Sequence, residues 1–304
     1  MDITEILNFY KDNYQMKIFY KKCINIKHEY GYMYIYAYKD EIKKFKDTFG
    51  DYFPFYIMNQ DILSSYLNVD KSKLESRLKK ASIYSWNSAS IFPQRDTRKA
   101  GVYGELFLDF YLRVIKGLFP IISYVSKRSY RSRNESTGID SVVFDYNGEI
   151  EFYICETKFV STKSNARTAL IGDVKGTADF VSHFSQEYLN DYFEFVMKKS
   201  LDSNIVKIRS VNDFIMKVNL ENITGKTFLD VAIKENAKLH AVLFAIYQDD
   251  NKDVNKLDTI YLELGNELDN KLCSLGIEYT YEIIFIPTNN TSMLIKEGID
   301  SYYE

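Results

Sequence analysis

Two adjacent segments joined by Asn147-Gly148 limit, more than any other feature, the folds open to this chain. Residues 139–146 read IDSVVFDY and residues 149–160 read EIEFYICETKFV, and both are rich in the β-branched and aromatic residues typical of strands. Asn-Gly is the strongest short-range signal for a tight hairpin turn. The sequence therefore predicts two neighbouring antiparallel strands.

The second of these strands ends in two charged residues, Glu156 and Lys158. Alternate side chains of a strand share a face, so both are expected to project in line with the apolar residues that precede them. Burying such charges is costly unless they are paired or bind a cation. Asp140 begins the first strand, and the hairpin places it opposite residues 155 and 156. Two carboxylates are thus expected at one end of the hairpin.

This pair of carboxylates predicts a site for a divalent metal. Hard oxygen ligands suit Mg²⁺ or Mn²⁺, with Asp140 and Glu156 as ligands and the backbone carbonyl of Thr157 as a third. Lys158 would orient or deprotonate an attacking water and neutralise charge at a scissile phosphate. Similar acidic-x-Lys triplets occur elsewhere in the chain, so the prediction depends on the ordered set: a helix with Glu105, a strand with Asp140, then this strand.

Elements alternate along the remainder of the chain in the manner of an α/β fold. Apolar residues recur at helical spacing over 104–119, and 166–199 is typical of one long helix or two consecutive helices. Two further apolar strands, 238–247 and 279–287, are separated by an acidic helical stretch.

The first part of the chain is predicted to be a separate α+β region. Residues 30–39 alternate like a strand, residues 70–81 are typical of a charged helix, and residues 85–101 are typical of a connection. We therefore predict an N-terminal region, 1–94, that either binds a partner or packs on the core. The second unit would span 95–304.

Composition excludes several classes of protein. The chain has 304 residues with only three cysteines and three histidines, which provide neither a disulfide framework nor a zinc site. We found no apolar stretch long enough to cross a membrane and no signal-peptide pattern, so a cytoplasmic location is expected.

Gly225-Lys226-Thr227 resembles the end of a P-loop, but Leu220 replaces its first glycine, so no bound nucleotide is expected.

Basic charge is concentrated in one block, although the formal net charge is -3. Residues 95–133 contain nine Lys and Arg against three Asp and Glu, whereas residues 134–304 contain 16 against 28. The planar guanidinium group of arginine can donate two parallel hydrogen bonds to a phosphate group. We predict DNA contacts from Lys127, Arg128, Arg131 and Arg133. A solvated basic face without a ligand is the alternative.

The order of these motifs resembles the PD-(D/E)xK nuclease superfamily, which has the restriction-endonuclease-like fold. The likeness rests on the Glu105 helix, the basic segment, Gly138-Ile139-Asp140 at a strand start, the hairpin, and the strand ending in Glu156-Thr157-Lys158. More narrowly, the chain is similar to the HamA family, the nuclease subunit of the Hachiman anti-phage defence system. The specific likeness covers about residues 101–190, the expected core of the nuclease domain.

This resemblance implies a mixed sheet flanked by helices and a metal-dependent deoxyribonuclease. Asp140 and Glu156 would be metal ligands, Lys158 the catalytic lysine, and Glu105 an acidic residue that contacts the metal or its water. The resemblance also implies a partner, a superfamily 2 helicase (HamB). This helicase restrains the nuclease until DNA engagement releases it.

Two other functions remain open at this point. The chain could be a catalytically silent DNA-binding or scaffold subunit that keeps the fold and regulates a helicase. It could also be a restriction or repair nuclease that works alone. The acidic balance of residues 134–304 favours a protein partner, because such a surface would repel DNA.

Overall fold

A computed structural model provides the structure of the chain. It describes residues 17–25, 30–37, 52, 55–56, 73, 76–77, 80, 99–118, 139–161, 165–167, 170, 184–197, 209–249 and 257–289.

Strands and helices are interspersed along the described part of the chain. In chain order they are β1 (Lys17–Asn25), β2 (Tyr30–Ala37), α1 (Lys99–Phe110) with a π-helical continuation (Tyr111–Lys116), β3 (Ser141–Tyr146), β4 (Ile150–Val160), α2 (Gln186–Met197), α3 (Arg209–Ile223), α4 (Phe228–Lys234), β5 (Lys238–Gln248), α5 (Leu257–Cys273) and β6 (Glu278–Thr288). None of the described helices is both long and apolar enough to cross a bilayer.

The six strands that the structure describes belong to one mixed sheet, in the order β1-β2-β6-β5-β4-β3. The two outer pairs, β1 with β2 and β3 with β4, are antiparallel. The inner pairings, β2 with β6, β6 with β5, and β5 with β4, are parallel. The mixed α/β fold predicted from the alternation of elements is therefore confirmed.

Helices cover both faces of this sheet. On one face an aromatic cluster joins the β3–β4 hairpin to α2, α3 and α4, with Phe193 stacked on Phe228 at 3.7 Å between ring centroids. Phe152 of β4 meets both rings edge-on. On the other face lies α1, whose continuation packs Tyr111 against Phe244 of β5. The β4 strand is therefore enclosed between two helical layers.

The β3–β4 hairpin has the predicted register. Ser141 pairs with Cys155 and Tyr146 with Ile150, which leaves a three-residue loop, Asn147 to Glu149. Gly148 has a φ of +86° in that loop, a conformation that glycine adopts without the steric cost of a Cβ atom. The loop therefore fixes which residues of the two strands face each other.

Other elements differ from expectation in extent or were not predicted. The helix expected over 104–119 begins at Lys99, inside the predicted connection, and changes to π geometry after Phe110. The strands expected at 238–247 and 279–287 are confirmed, each within one residue at either end. The expected acidic helix between them is α5. Strand β1 and helices α3 and α4 were not predicted, and β2 extends the sheet by pairing with β6.

Candidate functional site

The first carboxylate, Asp140, is held directly beside the end of β4. Its backbone N–H donates to the carbonyl of Cys155 at 3.1 Å. Its side-chain Oδ2 accepts a hydrogen bond from the backbone N–H of Thr157 at 2.8 Å. These two bonds place Asp140 one residue before the first β3–β4 pair, opposite Glu156, as the hairpin predicted.

The second carboxylate, Glu156, is almost completely buried, with 2% of its surface exposed. Its Oε1 atom accepts a hydrogen bond from the ammonium group of Lys158, the next residue on the same face of β4. Its Oε2 atom is buried and has no hydrogen-bond partner in the described part of the chain. A buried carboxylate oxygen without a donor is unfavourable, and a cation would satisfy it.

The site has more acidic groups than basic ones. Burial raises the pKa of Glu156 well above its ordinary value, and the charges of Asp140 and Glu105 raise it as well, against the lowering effect of Lys158. Burial lowers the pKa of the Lys158 amine, but attraction to Glu156, Asp140 and Glu105 outweighs burial, and the net pKa is raised. Three carboxyl groups thus share one ammonium group, so the site favours an additional proton or cation.

Thr157 brings its backbone to the same place. Its N–H points toward Asp140, on the β3 side of β4. The N–H and C=O of one strand residue point to the same side, so the Thr157 carbonyl is also directed past the start of β3. The predicted carbonyl ligand therefore lies on the side of β4 where Asp140 is held.

Glu105 approaches from the opposite face of the sheet. The preceding residue, Gly104, lets α1 come so close to β4 that a Cβ atom there would lie 3.1 Å from Oγ1 of Thr157 and 3.4 Å from Cβ of Phe159. Thr157 and Phe159 alternate with Glu156 and Lys158 along β4. Glu105 is nevertheless close enough for its charge to raise the pKa of Glu156.

The structure adds a residue that the sequence did not indicate, Tyr56. Its hydroxyl donates to Oε2 of Glu105 at 3.0 Å, across 49 residues of sequence. A short-range pattern could not have revealed this bond.

The predicted DNA contacts Lys127, Arg128, Arg131 and Arg133 lie outside the described residues.

The four predicted site residues Glu105, Asp140, Glu156 and Lys158 all lie within the described part of the chain. Across the described ranges, no three His, Cys, Asp or Glu side chains form a group ready to hold a metal ion. Lys158 binds one oxygen of Glu156, and α1 brings Glu105 from the other face of β4.

The donors that are present nevertheless fit a hard divalent cation. Mg²⁺ is commonly held by one or two carboxylates, and water and substrate phosphate complete its octahedral shell. Asp140, Glu156 and the Thr157 carbonyl match that donor set, and the buried Oε2 of Glu156 is the atom that gains most from it. The assignment of these residues as ligands stays a prediction.

Comparison with known protein families identifies the chain. A sequence model of the HamA family matches residues 7–301. The chain therefore belongs to the HamA family and is a Hachiman defence-system protein. Comparisons with curated proteins and with solved structures each gave no match. The narrower resemblance is thus confirmed, and the wider relationship to PD-(D/E)xK nucleases stays a prediction.

The raised pKa of Glu156 predicts a specific pH dependence of stability in metal-free buffer. When a carboxyl group has a higher pKa in the folded than in the unfolded state, the folded protein becomes less stable as pH rises. The decrease begins near the ordinary pKa of 4.5 and continues toward the pKa in the folded state. Glu156→Gln removes that loss and should be more stable than wild type at pH 8, with a smaller difference at pH 5. Urea unfolding at several pH values, with chelator present, measures it.

Glu221→Gln is a control of opposite sign. Hydrogen bonds from Lys226 and Lys234 lower the pKa of this partly exposed carboxylate, so its removal should slightly reduce stability at pH 8. A Glu156→Gln variant whose stability follows that of wild type at every pH would contradict the assigned burial cost.

Proposed function

We propose that the chain is a metal-dependent DNA nuclease, the effector subunit of an anti-phage complex, and that it hydrolyses phosphodiester bonds with little sequence specificity. One observation above all supports this: Asp140 and Glu156 meet at the end of β4, a lysine shares their face, and one buried carboxylate oxygen has no donor. Paired carboxylates with an adjacent lysine are suited to metal-assisted hydrolysis of phosphate esters.

Asp140, Glu156 and the Thr157 carbonyl would hold Mg²⁺ or Mn²⁺, and Glu105 would contact the ion directly or through its water. When bound, the ion would neutralise charge on the phosphate and lower the pKa of a water molecule. The excess of carboxyl groups over ammonium groups supports this, because a divalent cation would offset both the burial of the Glu156 carboxylate and its repulsion by Asp140 and Glu105, which together raise its pKa.

Lys158 would act as a charged donor. Its raised pKa keeps the amine protonated near neutral pH, which favours orientation of water and stabilisation of phosphate charge over proton abstraction. Its side chain is partly exposed, with 31% of its surface accessible, so it can turn from Glu156 toward a bound substrate.

Loss of the lysine should greatly slow catalysis while leaving the protein folded. Lys158→Met should reduce the rate of plasmid degradation by roughly 10² to 10³, by analogy with loss of a charge-stabilising group. Asp140→Asn should abolish degradation, and EDTA should stop the wild-type reaction until Mg²⁺ or Mn²⁺ is restored. Agarose gels of plasmid DNA, together with protection of cells against phage, measure these effects.

Lys217→Met is the matched control, because Lys217 of α3 also forms a Lys–Glu pair, with Glu235, the residue that follows α4, at 2.6 Å. Cleavage that persists in the presence of chelator would contradict the proposal that the reaction depends on a metal ion. Protection that survives both Lys158→Met and Glu156→Ala, at normal protein levels, would favour the scaffold function.

The basic block, residues 95–133, is proposed to hold the DNA backbone. Its support is the local excess of nine Lys and Arg over three Asp and Glu. Contacts of this kind position DNA without reading its sequence and weaken as salt displaces them.

Charge reversal in this block should weaken binding to all sequences alike. Changing Arg128, Arg131 and Arg133 to Glu should also weaken the salt dependence. The slope of the logarithm of the binding constant against the logarithm of salt concentration should fall by about one unit for each phosphate that is left without its basic partner. Arg209→Glu on α3, whose side chain is 94% exposed, should leave both unchanged. Fluorescence anisotropy at several salt concentrations tests this, and a reduction in affinity confined to one sequence would contradict it.

A superfamily 2 helicase, HamB, is the proposed partner. Membership of the HamA family and the acidic balance of residues 134–304 support a protein partner. The two proteins should purify together from cells that express both, and the complex should not cleave DNA without a trigger. Size-exclusion chromatography and a cleavage assay measure this. Isolation of a fully active, unaccompanied monomer would argue for a nuclease that works alone.

A further inference from the structure

Two tyrosines from the N-terminal part of the chain contact two carboxylates of α1 in reverse order. The Tyr56 hydroxyl donates to Glu105 at 3.0 Å, and the Tyr52 hydroxyl donates to Asp109 at 2.7 Å. The tyrosines are four residues apart, and so are the carboxylates. Four residues of α1 span about one helical turn, and the direction from Tyr52 to Tyr56 is opposite to the direction of α1.

The tyrosine rings of this segment are fixed by packing. Tyr52 is fully buried and Tyr56 is 5% exposed. Tyr52 packs edge-on against Phe110 of α1 at 4.9 Å and is stacked with Phe55 at 5.5 Å. The Phe55 N–H also donates to the Tyr52 carbonyl at 2.9 Å. Each hydroxyl is therefore held at a defined place on α1.

The terminal carboxylate of a glutamate rotates readily, because its last torsion is broad. A donor that holds one oxygen fixes the direction of the other. Glu105 is buried, and the residue before it, Gly104, lies so close to β4 that a Cβ atom there would be 3.1 Å from Oγ1 of Thr157, the residue between Glu156 and Lys158. The charge of Glu105 accordingly acts on both Glu156 and Lys158. The orientation of Glu105 thus affects the electrostatics of the whole site.

We propose that Tyr56 is a positioning residue for the metal site, and that its hydroxyl holds Glu105 in the orientation that a divalent cation requires. The inference rests on the proposed function, and it assigns a role in that site to the N-terminal part of the chain. Tyr56 acts through Glu105 and does not itself touch the ion. Partners of this kind commonly affect metal affinity by 10- to 100-fold.

Tyr52 offers a matched control. It makes the same kind of bond one turn further along α1, but to Asp109, which Arg113 also binds at 3.0 and 3.1 Å. Tyr52→Phe and Tyr56→Phe each remove one buried hydroxyl and keep the ring. Both should lower the melting temperature by similar amounts, so only the difference in metal binding separates positioning from structural support.

The experiment measures Mn²⁺ binding to the full chain by titration calorimetry, with free Mn²⁺ checked by electron paramagnetic resonance. Tyr56→Phe should raise the Mn²⁺ dissociation constant by about 10-fold or more. Tyr52→Phe should leave it unchanged. In a Glu105→Gln background, Tyr56→Phe should have no further effect, because the group it positions is already altered.

Equal Mn²⁺ affinity in Tyr56→Phe and wild type would overturn the inference, and so would an equal reduction in Tyr52→Phe. A wild-type chain that binds no Mn²⁺ would overturn it as well.

If the variants differ in Mn²⁺ affinity as expected but wild type cleaves no DNA, the nuclease proposal fails and the positioning role stands. If cleavage is observed but the affinities are equal, the positioning role alone fails. Circular dichroism of each variant confirms that the comparison is between folded proteins.

Discussion

The pairing of β3 with β4 in a single register is the constraint on which the site depends. Asp140 lies one residue before the first pair of that ladder and bonds to both Cys155 and Thr157. A slip of one residue would turn every side chain of one strand to the other face. Asp140 and Glu156 would then lie on opposite sides of the sheet. The short loop at Gly148 and the aromatic cluster under the hairpin prevent that slip.

This arrangement has a cost in folding free energy that the surrounding fold must offset. A buried carboxylate with one unbonded oxygen, near two further carboxyl groups, is among the less favourable environments in a folded protein. Phe152 and the other rings that pack beneath the hairpin provide the compensating apolar burial. Local rules of stability are commonly violated where a protein binds or reacts, which is in line with the site proposed at the end of β4.

Both faces of the sheet contribute to the site, and so does the N-terminal part of the chain. Lys158 and Glu156 share one face of β4, whereas α1 brings Glu105 to the other through the close approach at Gly104. Tyr52 and Tyr56 donate hydrogen bonds to two carboxylates of α1. Strand β2 also extends the central sheet beside β6. The N-terminal residues that the structure describes therefore form part of the architecture that supports the site.

The sequence by itself determined the features that depend on near neighbours. The Asn147-Gly148 turn, the alternation that places Glu156 and Lys158 on one face, and the later strands follow from backbone periodicity and turn chemistry. Only the tertiary structure decided the pairing of β2 with β6, the face from which Glu105 approaches, and its bond to Tyr56. Those contacts join residues far apart in the chain. They depend on how complete layers pack, and no local pattern of side chains encodes that packing.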